Sequence, residues 1–122
     1  MLLLVQLTCE TDVCCLIGGE IMYIVHSIFN VPVGKEDEVI DIYRKRSGLV
    51  DKAPGFINFQ LLQNERKKGE LTVQISWETK EDYLNWVTGE DYKRIHELEK
   101  KYPDKELASI VPKVKKYRVV AE

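Results

Sequence analysis

From Tyr23 to Val31 the chain alternates. Tyr23, Val25, Ser27, Phe29 and Val31 fall on one face of an extended segment, and Ile24, His26, Ile28 and Asn30 on the other, until Pro32 and Gly34 interrupt it. This pattern predicts a first strand. Lys35 to Val50 changes to helical spacing, with Val39, Ile40, Tyr43 and Val50 on one side. Its first turn holds Glu36, Asp37 and Glu38, whose negative charge suits the positive end of a helix dipole. Ala53-Pro54-Gly55 is the expected stop. Phe56 to Gln63 and Leu71 to Glu78 then read as two strands. They are joined by Asn64-Glu65-Arg66-Lys67-Lys68-Gly69, which has the composition of a solvated hairpin loop and accounts for its basic triplet.

Thr79 with Asp82 three residues on is an acidic variant of the capping box, opening a short helix through Tyr83, Leu84, Trp86 and Val87. Thr88 with Asp91 repeats the spacing and predicts a second helix through Tyr92, Ile95 and His96 toward Lys101. After Pro103 and a loop, Pro112 to Val120 reads as a last strand. The order β-α-β-β-α-β, with the second helical region split in two, is that of an α+β, ferredoxin-like split βαβ fold: an antiparallel sheet with helices on one face. The other face, with Ile24 and Ile28 and residues such as Ile57, Phe59 and Leu61 or their alternates, predicts an apolar surface too large to leave in water. A homodimer packed sheet on sheet, as a dimeric barrel, is the simplest cover. His26, on that side by alternation, is expected at the dimer interface and outside any cleft under the helices.

Composition narrows the function classes. A chain of 122 residues, 44% hydrophobic and 31% charged with a formal net charge of -2, suits one core of ordinary globular kind. No basic block points to nucleic acid, and no apolar run is long enough to span a membrane. Residues 1–21 differ from the rest: they hold Cys9, Cys14, Cys15 and Gly18-Gly19 and lack Lys and Arg. Their apolar Leu2-Leu3-Leu4-Val5 is too short, and the start too uncharged, for a secretory signal. They read as a non-domain N-terminal extension, with the domain over 22–122. The adjacent Cys14 and Cys15 make a poor redox pair. Gly18-Gly19-Glu20 just before Met22 is also what a purine-rich ribosome-binding sequence spells when translated in frame, so Met22 is a candidate start. Removing 21 residues from 122 leaves 101, and losing Glu10, Asp12 and Glu20 leaves 17 of 20 acidic residues against 18 basic. Such a cysteine-free domain suits a reducing cytoplasm.

The stretch from Met22 onward resembles the antibiotic-biosynthesis-monooxygenase superfamily, and within it the IsdG-type haem-degrading monooxygenases. The resemblance rests on Trp86, a Thr88-Gly89 break and His96 ten residues after the tryptophan, on Met22-Tyr-Ile-Val, on Ala53-Pro54-Gly55-Phe56, and on Ile75-Ser76-Trp77-Glu78. The Pro-Gly-Phe turn and the Trp-Glu strand end are shared across the superfamily and speak only of the fold. The spacing of Trp86 and His96 points to haem.

The resemblance implies a haem-degrading monooxygenase that binds haem in a cleft between sheet and helices. It would open the porphyrin with O2 and an external electron donor, and release iron. His96 would be the proximal iron ligand, and Trp86 would press on the distal face and help ruffle the macrocycle. Ser27 would donate a hydrogen bond on the distal side, and Tyr43 would form part of the wall. The family has asparagine where Ser27 stands, and serine offers a shorter reach and no amide. Haem, a second copy of the chain and a reductase of unknown identity are the partners implied. Imidazole suits haem iron, and oxygen chemistry beside it depends on a few side chains that set polarity and access.

Taken alone, these residues have plainer readings. His96 reads as a surface or half-buried side chain on a charged helix, Trp86 as core, and Ser27 as a hydroxyl satisfied by local backbone. Two other functions stay open: a cofactor-free oxygenase of the same superfamily acting on small aromatic or quinone-like substrates, and a non-catalytic haem-binding protein. For the start site the expected outcome is an intact mass of the native protein matching residues 22–122; a mass for all 122 residues refutes it.

Overall fold

The computed structural model describes residues 22–122; the extension expected over residues 1–21, with its three cysteines, lies outside the described residues. Strands β1 (Tyr23–Asn30), β2 (Phe56–Gln63), β3 (Glu70–Trp77) and β4 (Lys113–Arg118) form one antiparallel sheet in the order β2-β3-β1-β4. Helices α1 (Glu36–Arg44), α2 (Lys80–Val87), α3 (Glu90–Lys100) and α4 (Lys105–Ala108) lie among them in the chain. This is the ferredoxin-like α+β fold that the alternating and helical periodicities predict. Every residue of β1 has a partner on β3, and those from Tyr23 to Ile28 also pair with β4. Its face of Tyr23, Val25, Ser27 and Phe29 is buried throughout, as its alternation requires.

The core beneath the helices is in two parts. Tyr23, Val25, Val50, Trp77, Tyr83 and Val87 form one buried cluster. Phe29, Val31, Val39, Leu71, Val73 and Leu107 form the other. Phe59 and Ile75 pack against both. Val25 and Phe29 therefore belong to different clusters, and Ser27 stands between them on the strand.

Four expectations need correction. The first helix ends at Arg44 and not near Val50; a separate 3-10 turn over Leu49–Lys52 follows, entered through Gly48 at φ 74°. Glycine reaches that left-handed region at no steric cost, and Arg46 clamps the corner by bonding both oxygens of Asp51 at 2.9 and 3.2 Å. Val50 is buried as expected, but from the 3-10 turn. Thr88 does not open α3. Its hydroxyl donates backward to the Leu84 carbonyl at 2.9 Å and closes α2, and Gly89 caps α3. Thr79 does cap α2, accepting from the Asp82 N–H at 3.1 Å. The loop after Pro103 contains the short α4, capped by Asp104 and held to the start of α1 through Lys35, which bonds Asp104 and Glu106 at 2.7 and 2.8 Å.

Phe59 and Leu61 are the fourth correction. Strict alternation from Phe56 puts them on the open face, yet both pack into the core. The cause is a register shift: Phe56 pairs with Trp77 but Asn58, not Ile57, pairs with Ser76. One extra residue reverses every later side chain, so Phe59 and Leu61 turn inward and Leu62 outward. The open face keeps Ile24, Ile28, Leu62 and Tyr117. It also carries a polar row in which His26 Nε2–H donates to Gln74 Oε1 at 2.8 Å, and Gln74 donates to Gln60 at 3.2 Å. Among the described residues no helix is long and apolar enough to cross a membrane.

Gly55 enters β2 at φ 83°, and a side chain there would run into the Asp82 carboxylate that belongs to the α2 cap. Gly55→Ala therefore combines a disfavoured backbone with a disturbed cap. Its expected cost is about 2–3 kcal/mol in urea unfolding; a loss under about 0.5 kcal/mol would contradict this reading.

Candidate functional site

Between the two core clusters the helices stand off the sheet and leave a cleft of about 550 Å³, its open mouth included. Its floor is Ser27 of β1, Val73 and Ile75 of β3, and Phe59 of β2. Tyr43 of α1 and Val50 of the 3-10 turn close one side, and Trp86, Tyr92, Ile95, His96 and Glu99 of α2 and α3 the other. All four residues singled out in the sequence, Ser27, Tyr43, Trp86 and His96, thus meet on one cavity.

The α3 wall follows from helix geometry. Tyr92, Ile95, His96 and Glu99 have the spacing i, i+3, i+4, i+7, which lines one face of a helix. No residue of α3 is fully buried, because this face looks onto the cleft and not onto packed sheet. The His96 ring meets Tyr92 edge-on with centroids 4.3 Å apart, and its Nδ1 lies 3.9 Å from Glu99 Oε1. Burial pushes the Glu99 carboxyl up to about 7. Burial, and then the Glu99 charge, likewise raises the Tyr43 hydroxyl well above its ordinary value.

Trp86 is both core and wall. Its indole packs 6.5 Å from that of Trp77, which is fully buried, and 6.2 Å from Tyr92, which meets it edge-on. Tyr43 sits between Phe29 and Phe59, each at 6.1 Å. The cleft continues into an outer groove bounded by Arg46, Gly48, Leu98 and Tyr102, where the Arg46 guanidinium lies 3.9 Å over the Phe59 ring.

Ser27 is 6% exposed, and among the described residues its hydroxyl has no side-chain hydrogen bond. The reading in which it satisfies itself locally is not what the geometry shows; the hydroxyl is one of few polar groups on an apolar floor. His26 lies on the opposite face of β1, bonded to Gln74, and takes no part in the cleft. Sequence reasoning left out Tyr92 and Glu99. Both were within reach, since each is one helical turn from His96 on the same face. Phe59 was not, because the bulge that turns it inward leaves no clear sequence signal.

The chain is similar to known proteins in sequence and in fold. The family model described as antibiotic biosynthesis monooxygenase matches residues 22–98. A protein of Bacillus thuringiensis (strain Al Hakam) called a haem-degrading monooxygenase is 31% identical over 85 residues, 68% of this chain and 78% of its own. One of Bacillus anthracis (strain A0248), with the same name, has the same figures. Among solved structures, the haem degrader MhuD of Mycobacterium tuberculosis, with two haems bound in its active site, superposes with a TM-score of 0.66. That pair is 23% identical over 83% of this chain and 97% of the other.

If Ser27 faces open space and not packed side chains, Ser27→Ala is expected to leave stability within about 0.5 kcal/mol. Val25→Ala, on the same face two residues earlier, is expected to cost about 2 kcal/mol. Denaturant unfolding of the two variants checks the contrast, and equal losses would place Ser27 in the packed core.

Proposed function

The chain belongs to the antibiotic biosynthesis monooxygenase family, and we propose that within it this protein is a haem-degrading monooxygenase. The observation behind this reading is that Trp86, His96 and Ser27 line a single apolar cleft between sheet and helices. The donor set fits haem. Among the described residues no group of three His, Cys, Asp or Glu side chains could hold a bare ion. A porphyrin brings its in-plane ligands with it, so a single imidazole on an apolar wall suffices. Aromatic and aliphatic lining suits the macrocycle, and the Bacillus relatives named for haem degradation support the same reading.

When bound, haem supplies both the iron at which O2 is activated and the porphyrin that is opened, with electrons from an external donor and release of iron. The chain supplies four things. His96 would hold the iron through an imidazole nitrogen. Trp86, fixed by Trp77 and Tyr92, would offer a flat rigid surface to the porphyrin. Ser27 offers one hydroxyl proton from the floor of the cleft. Tyr43, Phe59, Val73 and Ile75 exclude water, which strengthens that single hydrogen bond. The open face with Ile24, Ile28, Leu62 and Tyr117 is proposed as the surface on which two copies pack sheet on sheet. Action in the cytoplasm with a separate reductase completes the proposal.

A second reading has one observation in its favour. Ser27 is short and stands alone as the hydroxyl of the floor, so a protein that binds haem through His96 without degrading it would share this site. Haemin titration followed by visible spectroscopy separates the readings. The expected outcome is a saturable Soret band in the wild type that is lost in His96→Ala. Ascorbate in air is then expected to bleach the band in a catalase-insensitive way. A stable band means a haem binder, and absence of a His96-dependent band moves the search to cofactor-free oxygenation of small aromatic substrates.

A further inference from the structure

We propose that Glu99 is the positioning residue of His96: its side chain accepts the imidazole Nδ1–H, fixes that tautomer, and leaves Nε2 as the nitrogen that ligates haem iron. The ligand half of this inference rests on the haem reading above; the pairing itself does not. The two residues lie one turn apart on α3, and the ring nitrogen brought to Glu99 is Nδ1, 3.9 Å from Oε1. Both side chains are largely buried, at 18% and 25% exposure, so water competes little for a hydrogen bond between them. Glu99 is also the one carboxylate that lines the cleft among the described residues.

Closing the gap to hydrogen-bond distance requires about 1 Å of movement. The terminal torsion of glutamate is broad and allows it. Neutral histidine in water favours the hydrogen on Nε2, which would turn the wrong nitrogen to a metal. A second acceptor behind the ligand reverses that preference, and a metal-bound histidine commonly donates its other N–H to such a group, which also makes the ring a stronger electron donor. An imidazole held from behind keeps its plane when iron binds, so the ligand is oriented before the cofactor arrives.

The test uses two substitutions and two readouts. In the haem-free protein at pH 8.5, nitrogen-15 NMR of the histidine side chains is expected to show His96 as the Nδ1–H tautomer in the wild type and as Nε2–H in Glu99→Leu, which removes any acceptor. In the haem-loaded protein, Glu99→Gln keeps the shape but removes the charge. It is expected to lower the iron–histidine stretching frequency of the ferrous form and raise the midpoint potential. A wild-type His96 already in the Nε2–H form, or a tautomer and a stretching frequency that ignore both substitutions, overturns the proposal. Absence of any His96-dependent haem spectrum in the wild type instead overturns the haem reading and the ligand assignment with it, whatever the tautomer.

Discussion

Along the inward face of β1, Tyr23, Val25 and Phe29 are packed under the helices, and Ser27 interrupts them at the level where the core divides into two clusters. A fourth apolar side chain at that place would favour collapse of the helices onto the sheet, since burial of apolar surface is the main force drawing the layers together. With serine there, the gain from closing the gap falls and a hydroxyl would be buried without a partner. The cleft is therefore built into the core, and the elements around it are held by the clusters on either side. Phe59 and Ile75, which touch both clusters, bridge the floor beneath it.

This arrangement places the chemistry on rigid supports. Trp86 rests on the fully buried Trp77 while presenting itself to the cleft, so its two readings, core residue and functional wall, describe the same side chain. The α3 helix contributes no fully buried residue, yet its one inward face carries Tyr92, Ile95, His96 and Glu99 into the cavity. A helix that does little for the core is free to vary its chemistry, and the candidate ligand sits there. The fold alone says little about function, because one fold supports many reactions. What narrows the reading to haem is an imidazole, an indole and a hydroxyl on one apolar cavity, together with relatives of that activity.

The open face of the sheet is less apolar than alternation suggests. Two aromatic and aliphatic side chains expected there, Phe59 and Leu61, are turned inward by the bulge at Ile57, and a His26-Gln74-Gln60 row crosses what remains. A second copy docking there would meet hydrogen-bonding groups as well as Ile24, Ile28 and Leu62, which favours a defined register over a greasy slide.

The sequence by itself determined what depends on period and local chemistry. Alternation marked β1 and its buried face, helical spacing marked α1 to α3, Thr79 marked the start of α2, and resemblance to the monooxygenase family, carried by Trp86 and by His96 ten residues on, marked the candidate site. It could not determine what depends on contacts made elsewhere. The end of α1 at Arg44 needed the Gly48 turn and the Arg46–Asp51 clamp, and the reversal of Phe59 and Leu61 needed the pairing of β2 with β3. The meeting of Ser27, Tyr43 and His96 on one cavity needed three segments to converge from far apart in the chain. Periodicity is a property of neighbours along the chain, whereas a bulge or a cleft is decided by which distant side chains compete for the same space.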